Sequence, residues 1–570
     1  MPKPKISSTP LEKIALSCSG GGYRAATFHL GTMAYLNRLN YSGKPLLEHV
    51  KMISTVSGGT ITGTIYALRK QQGEPFEAIY TFLVSKISQL DLVKSGIESM
   101  NPHVGLKNKY KRLNIINAFA ENYDEHFTEG ATFKVFNTMT SHLEAVVFNS
   151  TEFKNAINFR FRNKGSGRFG NFDIIVSPQQ AEEIKIADAM ACSACFPGGF
   201  EPMMWPNDFR HAGSPHLMAL AEATEPIGIM DGGIYDNQGI DSILNYKKNS
   251  DAPYFDLVII SDVASPYMSP FTFMADKPKE GFRMLNLKQV YKRINHLYTG
   301  LNLGLLFLMI VLFFVPLSWD YTNSIWTGLS VGLGTAVLCM WVIFRMCSRK
   351  ILALPGRIMN SLALTIPAFY REKFAHLHIE DISVRRMEPL IMDRVNSLIT
   401  LLSNVFLKVV RRLNYDKLYA NSDYTYRRIT TLIKELTEMD FVRKNKQDEE
   451  QAEDPVNTAK SILKGKYATV VGEKMAAVAT EASGFGTTLW FTEDQMLSDM
   501  LEKLIATGEF TMCYNMIEYL ESLMKEPDNG FAALTQEKQD AIQDLYKQCL
   551  NDWARFKMDP MFMVNEMRAI

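Results

Sequence analysis

The chain has 570 residues, of which 46% are hydrophobic and 21% are charged, and its 61 basic and 61 acidic residues give a formal net charge of zero. This composition is that of a globular chain with several domains. The balanced charge excludes a chain-wide basic field, so we expect no nucleic-acid partner. The seven cysteines are scattered and form no disulfide framework, which is typical of a reducing compartment.

The first predicted element is a short apolar strand, Ile14 to Ser17, which a glycine-rich turn connects to a helix predicted over Tyr23 to Leu39. The turn has the sequence Ser19-Gly20-Gly21-Gly22-Tyr23-Arg24. Glycines let the backbone approach a ligand closely, and a helix N-terminus offers unpaired N–H groups. The pattern therefore indicates a site for a phosphate or an oxyanion. The alternative is a turn that only packs the helix on a sheet. The Gly-Lys-Ser/Thr ending of a P-loop is missing.

A second strand is predicted over Lys51 to Val56, followed by Ser57-Gly58-Gly59 and a helix that runs toward Arg69. The pattern matches the nucleophile elbow G-x-S-x-G, except that Thr55 replaces the first glycine. An elbow presents the serine hydroxyl at the end of the strand, beside a helix N-terminus. The alternative is an ordinary Ser-Gly-Gly turn.

A third turn, Asp231-Gly232-Gly233, precedes a buried strand predicted over Leu257 to Ser261. An aspartate flanked by glycines can approach another side chain closely, although Asp-Gly-Gly is also a common turn. Strands that alternate with helices favour a parallel or mixed sheet covered by helices.

In this order, and together with the segment Met190 to Gly198, these patterns resemble the patatin-like phospholipase family over about residues 10–265. The resemblance is to a membrane-anchored member of bacterial type, and it implies a three-layer α/β/α sheet domain. It further implies a Ser–Asp dyad in which Ser57 is the nucleophile and Asp231 the general base. The implied ligand contacts are an oxyanion hole at Gly20, Gly21, Gly22 and Gly58, and Arg24 on a substrate phosphate. Two positions depart from the family pattern. Ser19 stands where many members have Asp, and Thr55 replaces the first glycine of the elbow.

Histidines and cysteines are given no catalytic role. A triad in the chain order Ser, Asp, His requires a histidine after Asp231, and the only ones are His296, His376 and His378, which no turn motif accompanies. His211 and His216 are interpreted as loop residues, or as residues at the substrate entrance. Cys192 and Cys195 lack a second ligand pair and are interpreted as small buried residues. We expect no metal and no cofactor.

Two uncharged apolar runs, Leu301 to Leu317 and Ile325 to Phe344, are each long enough to cross a bilayer as a helix. Lysines and arginines flank the pair on both sides, and basic flanks stay cytoplasmic. The sequence predicts a two-helix membrane hairpin over 299–345, with the catalytic domain and both termini in the cytoplasm. The alternative is a hairpin buried in a soluble domain.

The remainder is predicted to be helical. One apolar face is marked by Leu398, Leu401, Leu402, Val405, Phe406, Val409 and Leu413. Residues 443–455 indicate a linker, Thr492 and Gln495 a capping box, and Gly508 a helix stop. The predicted domains are a catalytic domain at 10–290, the hairpin at 299–345, a helical extension packed on the catalytic domain at 351–442, and a C-terminal helical module at 456–570.

These observations predict a serine lipid acyl hydrolase that cleaves acyl esters of membrane glycerophospholipids through an acyl-enzyme. One alternative is a thioesterase or acyltransferase that uses the same dyad. Another is a membrane-bound protein that binds lipid without turnover. The sequence leaves open whether the protein forms homo-oligomers.

Overall fold

The structure is a computed structural model that describes residues 6–101, 103–247, 253–264, 271–274, 284–314, 324–365, 383–438, 471–525 and 529–569. Its contacts divide the chain into two compact units. The first joins Met1–Met268 to Leu402–Ile570, and the second is Ser269–Leu401. This division groups the C-terminal segments with the sheet, whereas the domain boundaries given above remain a prediction.

An eight-stranded mixed sheet lies at the centre of the first unit. The described strands are β1 (Ile14–Cys18), β2 (Asn40–Tyr41), β3 (Lys44–Pro45), β4 (Val50–Val56), β5 (Ala145–Glu152), β6 (Ile157–Arg162), β7 (Met203–Trp205), β8 (Ile227–Asp231), β9 (Leu257–Asp262) and β10 (Arg428–Leu432). The sheet order is β10-β9-β1-β4-β5-β8-β7, with β6 also paired to β5, and β2 and β3 form a separate hairpin.

Helices cover both faces of the sheet. In the first unit they are α1 (Gly22–Arg38), α2 (Gly58–Gln71), α3 (Phe76–Gln89), α4 (Leu92–Ser99), α5 (Ile115–Tyr123), α6 (Pro178–Glu183), α7 (Ile186–Ser193), α8 (Pro215–Ala223), α9 (Gly233–Asp236) and α10 (Ile240–Leu244). Alternate residues of β1 enter different cores, because side chains of a strand point to opposite faces. Leu16 packs in the larger core and Ala15 in the smaller. The predicted α/β/α sheet class is confirmed.

The remaining helices follow β9 in the chain. Those of the second unit are α11 (Leu287–Phe314), α12 (Ser324–Thr365) and α13 (Val384–Thr400). Those of the first unit are α14 (Leu407–Tyr419), α15 (Glu473–Gly484), α16 (Glu493–Leu497), α17 (Met500–Lys525), α18 (Gln536–Met558) and α19 (Phe562–Arg568). A π-helical turn, Leu401–Phe406, precedes α14.

Helix α17 lies in the core of the first unit, against α1. The predicted capping box at Thr492 and Gln495 is present and opens α16. The predicted helix stop at Gly508 is wrong, because Gly508 lies inside α17. A Cβ at Gly508 would overlap the carbonyl oxygen of Phe28, and one at Gly31 would overlap that of Ile505. Glycine is therefore needed here for the close approach of two helices.

Glu509 follows Gly508 and is fully buried, and neither of its carboxylate oxygens has a hydrogen-bond partner among the described residues. Burial raises the pKa of this carboxyl well above its usual range, with the nearby Arg38 lowering it less. Since the folded pKa exceeds the unfolded one, Glu509 lowers the stability of the fold as the pH rises above the unfolded pKa.

We therefore expect Glu509→Gln to unfold at a higher temperature than the wild type at pH 8, and to lose this advantage at pH 4. The gain is about 1.4 kcal/mol for each pH unit above the unfolded pKa, until the folded pKa is reached. Thermal unfolding of the detergent-solubilised protein at both pH values measures it. The exposed Glu98 provides the matched control, Glu98→Gln. A gain of the same size at pH 4 and pH 8 would contradict the assignment.

In the second unit, α11 and α12 pack as an antiparallel pair. The Ser330 hydroxyl donates to the Leu312 carbonyl at 2.6 Å, and the Tyr298 and Phe344 rings lie 5.4 Å apart. Three helices are long and apolar enough to cross a membrane by length and composition: Lys288–Phe314, Ile325–Lys350 and Val384–Tyr419. The two predicted runs fall on the first two. The loop predicted between those runs lies mostly outside the described residues.

The C-terminal extension differs from the predicted all-helical segment because β10 adds a parallel strand to the sheet beside β9. Helix α14 also packs in an unexpected orientation. Its polar residues Arg411 and Asn414 are buried in the first unit, whereas Val409 is 45% and Leu413 57% exposed. The apolar face predicted from the sequence is therefore the outward one.

Candidate active site

Two strand ends meet on one edge of β5 and bring Ser57 and Asp231 together. β4 runs parallel to β5 and ends where Val56 pairs with Asn149. β8 runs antiparallel to β5 along the same edge and ends where Asp231 pairs with the next residue, Ser150. β6 occupies the other edge. The turns after β4 and β8 therefore emerge at one point of the sheet, although they lie far apart in the sequence.

Ser57 occupies a strained turn between β4 and α2. Its backbone has φ 50° and ψ −122°, a region that non-glycine residues rarely adopt. The Ser57 amide donates to the Ser193 hydroxyl at 3.0 Å, which fixes the turn from outside. The departure at Thr55 is accommodated because its methyl group packs against Gly63 of α2, where any Cβ would collide with it.

Asp231 is 3% exposed and faces the same cavity as Ser57. Burial raises the pKa of the Asp231 carboxyl to about 7, and hydrogen bonds from the Gly233 amide and the Ser57 side chain oppose the rise. The Gly233 amide donates to Asp231 Oδ1 at 2.7 Å. A carboxylate with a pKa near neutrality that shares a cavity with a serine on an elbow can act as that serine's base.

The glycine-rich turn between β1 and α1 borders the same cavity through Gly20 and Gly21. The Gly20 amide donates to the Asn237 carbonyl at 3.0 Å, so it is already used within the protein. Gly21 has φ 152°, a backbone conformation that favours glycine. Among the described residues, its amide donates to no backbone carbonyl in the turns, loops and caps. Gly22 and Gly58 do not border the cavity and pack against each other behind it.

Arg24 reaches the cavity from the first turn of α1. Its Nη1 donates to the Phe485 carbonyl at 3.0 Å and its Nη2 to the Thr487 hydroxyl at 3.3 Å. Burial lowers the pKa of the guanidinium, and Asp262 raises it by a smaller amount. Its Nε has no hydrogen-bond partner among the described residues. Arg24 therefore connects the glycine-rich turn to the C-terminal segment.

Two supporting residues were missed in the sequence. His29 is fully buried under the glycine-rich turn, with Nε2 2.9 Å from the Ser19 carbonyl and Nδ1 2.7 Å from the Ser261 hydroxyl. Burial lowers the pKa of His29 to about 4, so the ring is neutral and structural at physiological pH. Ser193 donates to the Asn149 carbonyl at 2.7 Å. The only sequence signal for Ser193 was its position in the segment Met190 to Gly198, which resembles the family.

Helix α14 closes one side of the cavity. Tyr415 donates its hydroxyl to Asp262 Oδ2 at 2.8 Å, and Arg411 Nη1 lies 3.7 Å from the same oxygen. The Asn414 side chain donates to the Tyr235 carbonyl at 3.2 Å. These polar contacts hold the helix beside Ser57 and Asp231, and Leu418 near its end packs in the smaller core. The cavity has a volume of about 460 Å³, within the range of ligand sites.

The other predicted candidates lie elsewhere. His211 Nε2 donates to the Glu183 carbonyl at 2.8 Å, and His211 borders a separate cavity of about 720 Å³, whose lining residues do not include Ser57 or Asp231. His216 contacts the Glu183 carboxylate at 2.6 Å. Cys192 and Cys195 are buried and free. His296 lies on α11, whereas His376 and His378 lie outside the described residues. Within the described part of the chain, no group of three or more His, Cys, Asp or Glu could hold a metal ion.

Residues 16–244 match the family model of the patatin-like phospholipases, a stretch that contains the glycine-rich turn, Ser57 and Asp231. No curated protein matches the chain. β10, α14 and the C-terminal helices lie outside the matched stretch. The chain therefore contains a domain of the patatin-like phospholipase family, whose members are lipid acyl hydrolases.

Proposed function

We propose that this protein hydrolyses acyl esters of membrane glycerophospholipids with Ser57 as nucleophile and Asp231 as its only base. The observation that carries the proposal is one cavity lined by a serine on a strained elbow and by a buried aspartate whose pKa burial raises to about 7, with the Ser57 side chain lowering it. Among the described residues, no histidine lines their cavity.

In the first half of the reaction, Ser57 Oγ attacks the ester carbonyl carbon while its proton moves to Asp231. The carbonyl oxygen becomes an oxyanion, which the amide of Gly21 at the cavity wall stabilises. The amides of Gly22 and Gly58, which do not line the cavity, contribute only if the turns move toward it. The Gly20 amide contributes only if it leaves the Asn237 carbonyl. Asp231 returns the proton to the departing lysophospholipid alcohol, and an acyl-enzyme remains. In the second half, Asp231 takes a proton from water, whose oxygen attacks the acyl carbon. The bond between the acyl carbon and Ser57 Oγ then breaks, Asp231 returns the proton to Oγ, and the fatty acid leaves.

The membrane is the source of the substrate in this proposal. The antiparallel pair α11 and α12 spans the bilayer and keeps the enzyme near an insoluble substrate at high effective concentration. Basic residues on both sides of the pair favour a cytoplasmic catalytic unit and cytoplasmic termini. The third apolar helix is not counted as a span, because its C-terminal part buries Arg411 and Asn414 in the first unit. No nucleic acid takes part, and assembly into homo-oligomers is compatible with the proposal.

The pH dependence of hydrolysis follows from Asp231. The carboxyl must be ionised to accept the Ser57 proton, and burial raises its pKa to about 7. We expect kcat/KM to rise about tenfold per pH unit below about pH 7 and to level off above it. The measurement uses p-nitrophenyl butyrate, which has no titrating group, between pH 5 and pH 9. A flat profile down to pH 5 would show that no base with this pKa is required.

Lipid mass spectrometry of cells expressing the wild type or Ser57→Ala tests the function directly. Lysophospholipid and free fatty acid are expected to accumulate with the wild type only. A fluorophosphonate probe is expected to label the wild type but not Ser57→Ala, which separates an enzyme from a protein that only binds lipid. Identical lipid profiles in the two strains, with equal probe labelling, would overturn the proposal.

A further inference from the structure

The helix that closes one side of the dyad cavity carries an apolar stripe on its outer side. Four large apolar residues of the π-helical turn and α14 are exposed, by 51% at Leu402, 40% at Phe406, 45% at Val409 and 57% at Leu413. Their spacing of three or four residues places them on one side of the helix. We call these four residues the outward face. A contiguous exposed apolar patch of this kind marks an interaction surface.

The opposite side of the same helix faces the interior of the first unit. Arg411 and Asn414 are buried there, and Leu407 and Arg411 line the cavity that also contains Ser57 and Asp231. Because an α-helix is only about 10 Å thick, whatever covers the outward face lies close to this cavity. One helix therefore joins an apolar surface to the site of the proposed ester cleavage.

The composition of this helix favours a lipid bilayer as the partner. The run Val384–Tyr419 is among the three in the described part of the chain that are long and apolar enough to cross a membrane. α14 cannot be surrounded by hydrocarbon, however, because Arg411 and Asn414 are buried on its inner side. A helix with one apolar and one polar side instead lies along a membrane surface, with its apolar side between the headgroups and the acyl chains.

We propose that the outward face lies in the interface of the bilayer and holds the cavity of Ser57 and Asp231 at the lipid surface. A second copy of the chain would also bury these apolar side chains, but only a bilayer would bring acyl esters to the cavity. This inference rests on the proposed function, because it names the surface from which the same site takes its substrate.

The test compares a membrane substrate with a soluble one in the same preparation. The full-length protein is reconstituted into phosphatidylcholine vesicles, and the hydrolysis of the vesicle lipid and of p-nitrophenyl butyrate is measured. Val409→Gln/Leu413→Gln makes the outward face polar with residues that favour a helix. Because burial of each apolar side chain favours the docked orientation, this variant is expected to hydrolyse the vesicle lipid at least about tenfold more slowly. Its rate with p-nitrophenyl butyrate is expected to be unchanged.

Ile97→Gln/Leu497→Gln is the matched control. Ile97 on α4 and Leu497 on α16 are 58% and 85% exposed, and both belong to the first unit but not to the outward face. This variant removes two exposed apolar side chains elsewhere and is expected to keep both rates. Val409→Ile/Leu413→Met keeps the outward face apolar and is also expected to keep both rates.

A fluorescent label reports the position of the outward face without depending on catalysis. Leu413→Cys is labelled with a nitrobenzoxadiazole dye in a Cys339→Ser/Cys347→Ser background, which removes the exposed cysteines. Lipids with a nitroxide near the headgroup are expected to quench the dye more strongly than lipids with a nitroxide near the end of the acyl chain. The same dye at Leu497→Cys is expected to be quenched by neither lipid.

The outcomes separate the docking surface from the proposed function. A Val409→Gln/Leu413→Gln variant that hydrolyses the vesicle lipid at the wild-type rate would overturn the docking and leave the proposed function intact. Stronger quenching by the deep nitroxide would indicate a spanning helix, and no quenching would indicate water or a second copy, so either result would also overturn it. If this variant loses both activities, its fold has failed and the quenching decides. A wild type that cleaves p-nitrophenyl butyrate but not the vesicle lipid would overturn the proposed function, while the quenching still decides the docking.

Discussion

Ser57→Ala and Asp231→Asn are each expected to lower kcat/KM for ester hydrolysis by at least about a thousandfold. The first removes the attacking oxygen. The second keeps an oxygen that can accept from the Gly233 amide, which donates to Asp231 at 2.7 Å, but it removes the proton acceptor. Steady-state hydrolysis of p-nitrophenyl butyrate by the purified variants measures both losses.

The double variant tests whether the two residues act as one unit. Because either loss already disables the nucleophile, Ser57→Ala/Asp231→Asn is expected to be no slower than the slower single variant. Asp231→Asn is also expected to be at least as stable as the wild type at pH 8, since burial raises the Asp231 pKa to about 7 and the ionised form is penalised above it. The dyad would be disproved if the double variant lost kcat/KM by the product of the two single losses. It would also be disproved if Asp231→Asn kept more than a tenth of the wild-type activity.

Gly508→Val is expected to prevent folding of the catalytic unit, and Gly508→Ala to lower the free energy of unfolding by about 1–3 kcal/mol. A Cβ at position 508 would overlap the Phe28 carbonyl oxygen and come within 3.0 Å of the Thr32 amide nitrogen. Both atoms belong to the backbone of α1, so no side chain can move to relieve the contact. Since α1 begins at the glycine-rich turn, activity should fall with stability.

Gly484→Ala is the control for this prediction. Gly484 is the last residue of α15, and a Cβ there would meet nothing within 4 Å. Alanine is the better helix former, so this variant is expected to be neutral or slightly stabilising. Thermal unfolding and probe labelling of Ser57 follow both substitutions. Equal unfolding temperatures for Gly508→Ala and the wild type would show that α1 and α17 do not pack this closely.

The sequence was informative where local chemistry determines structure. Ile14 to Ser17, Lys51 to Val56 and Leu257 to Ser261 were predicted as strands, and the structure extends each by only one residue. The turns at Ser57 and Asp231 follow strands because a glycine-flanked residue there ends the strand and begins a helix. The resemblance placed these two residues in one site, and the head-to-head ends of β4 and β8 are how the structure brings them together.

The features that were missed depend on distant partners. Arg428 to Leu432 is a short segment whose pairing with β9 depends on residues about 170 positions earlier. Nothing local in α14 reveals that Asp262 and Tyr235 will accept from its polar face and turn the apolar face outward. Gly508 was taken as a stop because its sequence neighbours do not show that α1 crosses there. His29 has no motif, because its role is set by the carbonyl of Ser19.

The catalytic unit is discontinuous in the chain, since residues 269–401 separate its two parts. A ribosome therefore makes both apolar helices before it makes β10, α14 and α17. Ser57 and Asp231 are synthesised before the pair α11 and α12. The edge strand β10 and helix α17, which packs on α1, are synthesised after that pair. The order of synthesis thus completes the first unit only after both apolar helices exist, so in the proposed function the hydrolase is finished after the segment that would anchor it.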